Sequence, residues 1–329
     1  YGEGLQVYTT LDSKLQATTD TDEPGGGAGS DYSECTVISG KGGTGKTTVT
    51  AALAALADDK VMADCDVDAA DLHLLLNPDI QQISNFYGGE KAAIAPKTCT
   101  GCGACAELCR FDAIEPADTD EHGEPETYRV KEFACEGCGL CALACPVDAV
   151  EMNDVCTGQS YVSETYYGLL SHARLGIAEE NSGRLVTRVR ESASELAVAG
   201  GESCVLGDGS PGTGCPVIAS ISGVDVALIV AEPTVSGVHD MERVLELCHH
   251  FGVRPLICIN KCDLNDEQAE RIRKMAREAG ARVIAEIPFD PEVNKALAQG
   301  KNLVGYGRGP AAEAVRSIWD RLRAELEQA

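Results

Sequence analysis

An apolar run, CTVISG (35–40), stops abruptly at glycine. The next stretch, KTTVTAALAALADD (46–59), spaces its apolar residues at helical intervals. Then KVMADCDVD (60–68) goes from apolar to acidic within five residues. A buried strand, a helix and a second strand are predicted in that order. Four later runs have the length and β-branched content of buried strands: SCVLGD, VALIVAE, PLICIN and RVIAEIP. Helical patterns such as DEQAERIRKMAREAG (266–280) and AAEAVRSIWDRLRAELEQA (311–329) separate or follow them. Strand alternating with helix predicts an α/β fold, a mostly parallel doubly wound sheet with right-handed crossovers.

The alternation breaks near Lys91 and resumes after about Val150. Four segments follow: a polar tail at 1–33, with DEPGGGAGSD (22–31) as linker, a first part of the sheet domain at 34–92, an insert at 93–150, and the rest of the sheet domain at 151–329. On the last helix Val315, Ile318, Trp319, Leu322 and Leu326 form one apolar stripe, expected to pack on the sheet.

The chain has 329 residues, 44% of them hydrophobic and 5% aromatic, so the core should be aliphatic. Its formal charge of −25 disfavours nucleic acid and anionic membrane as partners. No run of about 20 apolar residues offers a membrane span, and no secretory signal is visible, so a cytoplasmic protein is expected. Sixteen cysteines change the picture through their spacing. CTGCGACAELC places Cys99, Cys102, Cys105 and Cys109; CEGCGLCALAC places Cys135, Cys138, Cys141 and Cys145, offset by 36 residues. Each run is C-x2-C-x2-C-x3-C, the bacterial ferredoxin spacing, in which the fourth cysteine serves the other run's cluster. Two [4Fe–4S] clusters are expected, one on Cys99, Cys102, Cys105 and Cys145, the other on Cys135, Cys138, Cys141 and Cys109. Paired C-x2-C motifs also make zinc ribbons. Of the remaining cysteines, Cys65, Cys156, Cys204, Cys248, Cys258 and Cys262 are expected in the core, and Cys215 near a dimer axis.

ISGKGGTGKTT (38–48) fits G-x-x-x-x-G-K-[ST] between a strand and a helix. Gly40, Gly42, Gly43, Thr44 and Gly45 should cradle phosphate, with Lys46 on the β- and γ-phosphates and Thr47 on Mg2+, beside Thr48. Asp64 and Asp66 at one strand end, and Asp208 at another, are candidates for holding Mg2+ and orienting the attacking water; the amide of Gly212 can sense the γ-phosphate. Asn260 and Asp263 follow a fourth strand, as in a base-recognition turn, and Asp263 leaves GTP open beside ATP.

The whole of KGGTGKTT resembles the deviant phosphate-binding loop of the MinD/ParA/Mrp and nitrogenase iron-protein class. With DCDVDAADLHLLL, NSGRLVTRVR, DGSPGTGCPVIAS, VAEPTVSGVHDMERVLEL, INKCDLN and IPFD, the chain from about Cys35 onward is similar to MinD-like ATPases with an inserted two-cluster ferredoxin domain. The resemblance implies ATP hydrolysis by a nucleotide-dependent dimer, of like chains or with a paralogous chain, in which Lys41 crosses to the partner's nucleotide. It implies catalytic roles for Lys41, Lys46, Asp66 and Asp208, a base contact for Asn260, and a redox or metal-cluster client protein. Electron transfer driven by hydrolysis is the first expectation; cluster assembly or a positioning ATPase are the alternatives.

Overall fold

The computed structural model describes residues 32–131, 133–176, 182–307 and 309–327. The tail expected at 1–33 lies outside these up to residue 31, and Ser33 already opens the first strand. The chain divides into two compact units. One holds the described residues up to Ser84, Ser160–Arg174 and those from Ser182 onward; the other holds Asn85–Gln159 with Leu175 and Gly176.

In the first unit, β1 (Ser33–Ser39) leads through the glycine loop into α1 (Lys46–Leu56) and β2 (Lys60–Asp64). Four more strands match the apolar runs: β8 (Cys204–Pro211), β9 (Val226–Ala231), β10 (Arg254–Asn260) and β11 (Arg282–Ile287). These run parallel in the order β11-β10-β9-β1-β8-β2. β1 is buried beyond its first residue, so Cys35, Val37 and Ile38 do not alternate with exposed positions, and Glu34, Thr36 and Ser39 are buried with them.

Three strands of this sheet were not anticipated. β3 (Asp79–Ile94) and β6 (Val150–Thr165) carry the chain out of the first unit and back, and β7 (Gly168–Leu175) pairs parallel with β2. The sheet therefore continues as β2-β7-β6-β3.

Helices α5 (Ser182–Gly200), α6 (Cys215–Ile221), α7 (Val235–His250), α8 (Asp266–Glu278), α9 (Pro291–Ala298), α10 (Leu303–Tyr306) and α11 (Pro310–Leu326) complete this unit, with the short α2 (Leu72–Leu76) after β2. The stripe on α11 joins the core: Val315, Ile318, Leu322 and Leu326 are buried and Trp319 is partly so. Cys65, Cys204, Cys248 and Cys258 fill core space as expected. Cys156 does not; it is exposed on β6, as Cys215 is at the head of α6. No helix among the described residues is long and apolar enough to cross a membrane.

A buried ion pair ties α5 to β1 and α6. Arg190 Nε and Nη2 each donate at 2.8 Å to the Glu34 carboxylate, while Nη1 donates to Ala219 O and Ser222 O. Lysine cannot reproduce that fork. Arg190→Lys should lower stability by about 1–3 kcal/mol, seen as a lower urea midpoint at unchanged slope; an unchanged midpoint would show that the fork contributes nothing.

The second unit repeats itself. α3 (Ala104–Leu108) and α4 (Leu140–Ala144) sit at the same offset in the two cysteine runs. Gly101 and Gly137 share φ values of 64° and 65°, and Asp112 and Asp148 share 51° and 50°. A side chain at Gly101 would run into Pro125 O and one at Gly137 into Glu90 O, so both turns need glycine for φ and for space. The hairpin of β4 (Ile114–Thr119) and β5 (Pro125–Val130) lies between the runs. This unit is wider than the 93–150 window, because the ends of β3 and β6 that enclose it contain no cysteine spacing to mark them.

Candidate nucleotide and cysteine sites

Gly45 caps α1 in the left-handed conformation, φ 91°, and turns Lys46 into the sheet. There Lys46 Nζ lies 2.9 Å from Asp208 Oδ1 and 3.4 Å from Asp66 Oδ2. Asp64 and Asp208 are opposite one another on β2 and β8 and are fully buried. Burial alone would push the Lys46 ammonium down, but Asp208, Asp66 and Asp64 outweigh it and hold it above the ordinary lysine range. Burial, and then the charge of Asp208, push Asp64 well above the usual carboxylate range. Burial also raises Asp66, against the pull of Lys46.

Asp64 Oδ2 and Asp208 Oδ2 are buried without a hydrogen-bond partner. Unsatisfied carboxylate oxygens below a phosphate loop fit a hard cation, which takes oxygen ligands or their waters. Thr47, whose hydroxyl is 3.4 Å from Lys46 Nζ, lines the cavity above these carboxylates. Thr50, which the sequence did not single out, donates to Asp208 Oδ1 at 2.8 Å and fixes that carboxylate.

Above this charge cluster is a cavity of about 460 Å³ lined by Gly42, Gly43, Gly45, Lys46, Thr47, Thr48, Asp66 and Asn260. Its far end is apolar, made by Ile287, Val293, Leu297 and Leu303, with Asn294 beside them. None of these was foreseen; helical spacing in PEVNKAL gave α9 no chemical signature. Asn260 Nδ2 donates to Thr44 O at 2.7 Å, so its amide braces the loop and keeps one N–H to spare for a base. Asp263 is not among the residues lining the cavity, and its Oδ1 accepts from Phe289 N at 2.6 Å. One oxygen of that carboxylate thus holds a turn.

Gly40, Lys41 and Gly212 lie outside the cavity lining. Lys41 Nζ donates to Ser236 Oγ at 3.1 Å and Thr234 Oγ1 at 3.3 Å, and stands 3.6 Å from Glu232 Oε2. Lys261 Nζ holds the same carboxylate at 2.5 Å. Glu232, at the end of β9, had no signal in the sequence beyond following an apolar run.

In the second unit Cys109 lines one pocket with Cys135, Cys138 and Cys141, among apolar residues including Leu108, Phe111 and Leu140. The fourth cysteine of one run thus meets the first three of the other. Ala113 N donates to Cys109 Sγ at 3.4 Å and Ala149 N to Cys145 Sγ at 3.2 Å, the same contact in both repeats. Burial raises the Cys105 and Cys141 thiols, again at matching positions. Cysteine sulfurs are soft donors of the type that iron–sulfur clusters take, and a backbone N–H to the sulfur is a contact that tunes such ligands. Among the described residues no three His, Cys, Asp or Glu side chains are gathered to hold a single metal ion.

A phosphate loop at the end of a central parallel strand, a buried lysine among three aspartates and a cavity of this size define a nucleotide-binding domain. The sequence model of the CobQ/CobB/MinD/ParA nucleotide binding domain matches residues 35–304, and the chain belongs to that family. An uncharacterized protein of Methanocaldococcus jannaschii is 31% identical over 291 residues, covering 87% of this chain and 95% of that one. The septum site-determining protein MinD complexed with Mg-ADP from Pyrococcus horikoshii superposes with a TM-score of 0.52 at 18% identity, over 88% of this chain and 96% of that one. The cytosolic Fe-S cluster assembly factor NBP35 of Eremothecium gossypii is 24% identical over 115 residues, 31% of this chain and 34% of that protein.

Proposed function

We propose that the protein is a dimerising ATPase that carries two [4Fe–4S] clusters and couples ATP hydrolysis to electron transfer through them. The observation that carries it is the pairing, in one chain, of the Lys46–Asp66–Asp208 site with a pocket lined by Cys109, Cys135, Cys138 and Cys141. Water attacks the γ-phosphorus in line and ADP leaves. Lys46 stabilises charge on the transferred group, and Asp66, at the cavity wall, orients the water. Thr47, Asp64 and Asp208 would hold Mg2+, directly or through water, and it would neutralise phosphate charge. The clusters would each supply a one-electron carrier, held by Cys99, Cys102, Cys105 and Cys145 and by Cys135, Cys138, Cys141 and Cys109.

A second reading, a factor that assembles clusters on client proteins, is favoured by the similarity to NBP35. Anaerobic protein reduced with dithionite separates the two. An electron carrier is oxidised at a rate that differs between ATP and ADP. An assembly factor passes iron to an apo-protein. Identical oxidation kinetics in both nucleotides would sink the first reading.

The dimer has its own test. With Lys41 resting on Glu232 and Ser236 in its own chain, it is available to a partner's phosphates only after leaving them. Lys41→Ala should bind ATP as wild type does and hydrolyse it roughly 10²–10³-fold more slowly, the scale of one lost contact to developing charge in a transition state. Mixing it with Lys46→Ala chains, which keep Lys41, should restore part of the activity. Full activity of monomeric Lys41→Ala would show that this lysine serves no partner.

A further inference from the structure

The segment between β8 and α6 holds Gly212, whose amide is the candidate sensor of the γ-phosphate. That amide is already engaged: Gly212 N donates to Ser39 O at 2.8 Å. Ser39 is the last residue of β1 and pairs with Pro211. The next residue is held as well. Arg243 Nη2, from α7, donates to Thr213 Oγ1 at 2.8 Å. In a chain with 52 acidic residues, the Arg243 guanidinium forms no ion pair among the described residues; the Thr213 hydroxyl is its partner. The helix that supplies it begins next to Thr234 and Ser236, where Lys41 rests.

We infer that Arg243 is a positioning residue for nucleotide sensing: by holding Thr213 it keeps the Gly212 amide on Ser39, at the entry to the phosphate loop, until a γ-phosphate competes for it. The inference rests on the proposed ATPase reading and adds to it a named restraint on the segment. A triphosphate must draw the amide off Ser39 and break or stretch the Arg243–Thr213 bond, whereas a diphosphate has no γ-oxygen to do so. The restraint therefore opposes ATP and is indifferent to ADP, and discrimination between two ligands follows from such a differential term.

Direct titration of the full chain with ADP and with a slowly hydrolysed ATP analogue tests this. Arg243→Ala should tighten the triphosphate analogue by about two- to fivefold, the size of one exposed side-chain hydrogen bond, and leave ADP affinity unchanged. Thr213→Val should do the same, and the double variant should gain no more than either single one, because both remove one bond. Arg243→Lys, which keeps a donor on a shorter fork-less side chain, should fall between. Equal changes for ADP and the triphosphate would overturn the inference, since a general loosening of the fold moves both. No change in either would overturn it too. Failure of the wild-type chain to bind ADP at all would count against the nucleotide reading itself, and so is distinguishable from both.

Discussion

Lys46→Met should abolish nucleotide binding and, independently, weaken the fold at neutral pH. The ammonium is 6% exposed and faces Asp208, which is 0% exposed. Deleting one member of a buried ion pair leaves the other uncompensated, at about 3–5 kcal/mol. The pH dependence follows from the carboxylates. Asp64 and Asp66 titrate above their ordinary values in the folded chain, so between about pH 4 and those raised values the native state binds more protons than the unfolded one. Stability contributed by these groups rises as pH falls through that window and is lowest above it. Lys46, raised itself, keeps its own contribution up to the alkaline range and loses it only as pH climbs through its folded value. Removing it should therefore cost most near pH 7, and urea titrations should show the deficit shrinking by pH 5. A variant as stable as wild type at pH 7, or a deficit that grows on acidification, would refute this account.

The second large effect concerns iron. The anaerobic protein should hold about eight irons per chain, four per cluster. If Cys109 serves the second run's cluster, the pair Cys109→Ser and Cys135→Ser damages one cluster and leaves about four irons. The pair Cys109→Ser and Cys99→Ser damages both. Assignment of each run to its own cluster predicts the reverse. Stoichiometric zinc in the untreated protein would remove the cluster assignment altogether.

How far the sequence reaches depends on what kind of interaction fixes each feature. A strand buried along its whole length, such as β9, announces itself as an unbroken apolar run. The phosphate loop and the cysteine runs are legible because covalent spacing itself carries their chemistry. By contrast β3 is mostly exposed or half-buried along its length, so it has neither an unbroken apolar run nor clean alternation. Its partner β6 is similar over its first half. Contacts between a side chain and a distant backbone are equally silent. The Asp263–Phe289 bond spans 26 residues, and nothing local says that the carboxylate will hold a turn. Glu232 is the same case: its importance comes from Lys41 and Lys261 arriving from two other loops.

The place of β1 between β8 and β9 has a consequence for synthesis. Ser33 must meet Cys204, and Cys35 must meet Val226, so β1 emerges from the ribosome long before its neighbours exist. At ~5–20 residues per second the wait is roughly 10–40 s. Through it the apolar CTVISG run is an unpaired strand, a natural client for a holding chaperone. Residues 85–159, with all eight cysteines of the two runs, are complete well within that interval and draw on no later strand for their hairpin. Any group that entered the cysteine pocket on the nascent chain would do so before Asp208 has joined Asp64 to complete the nucleotide site.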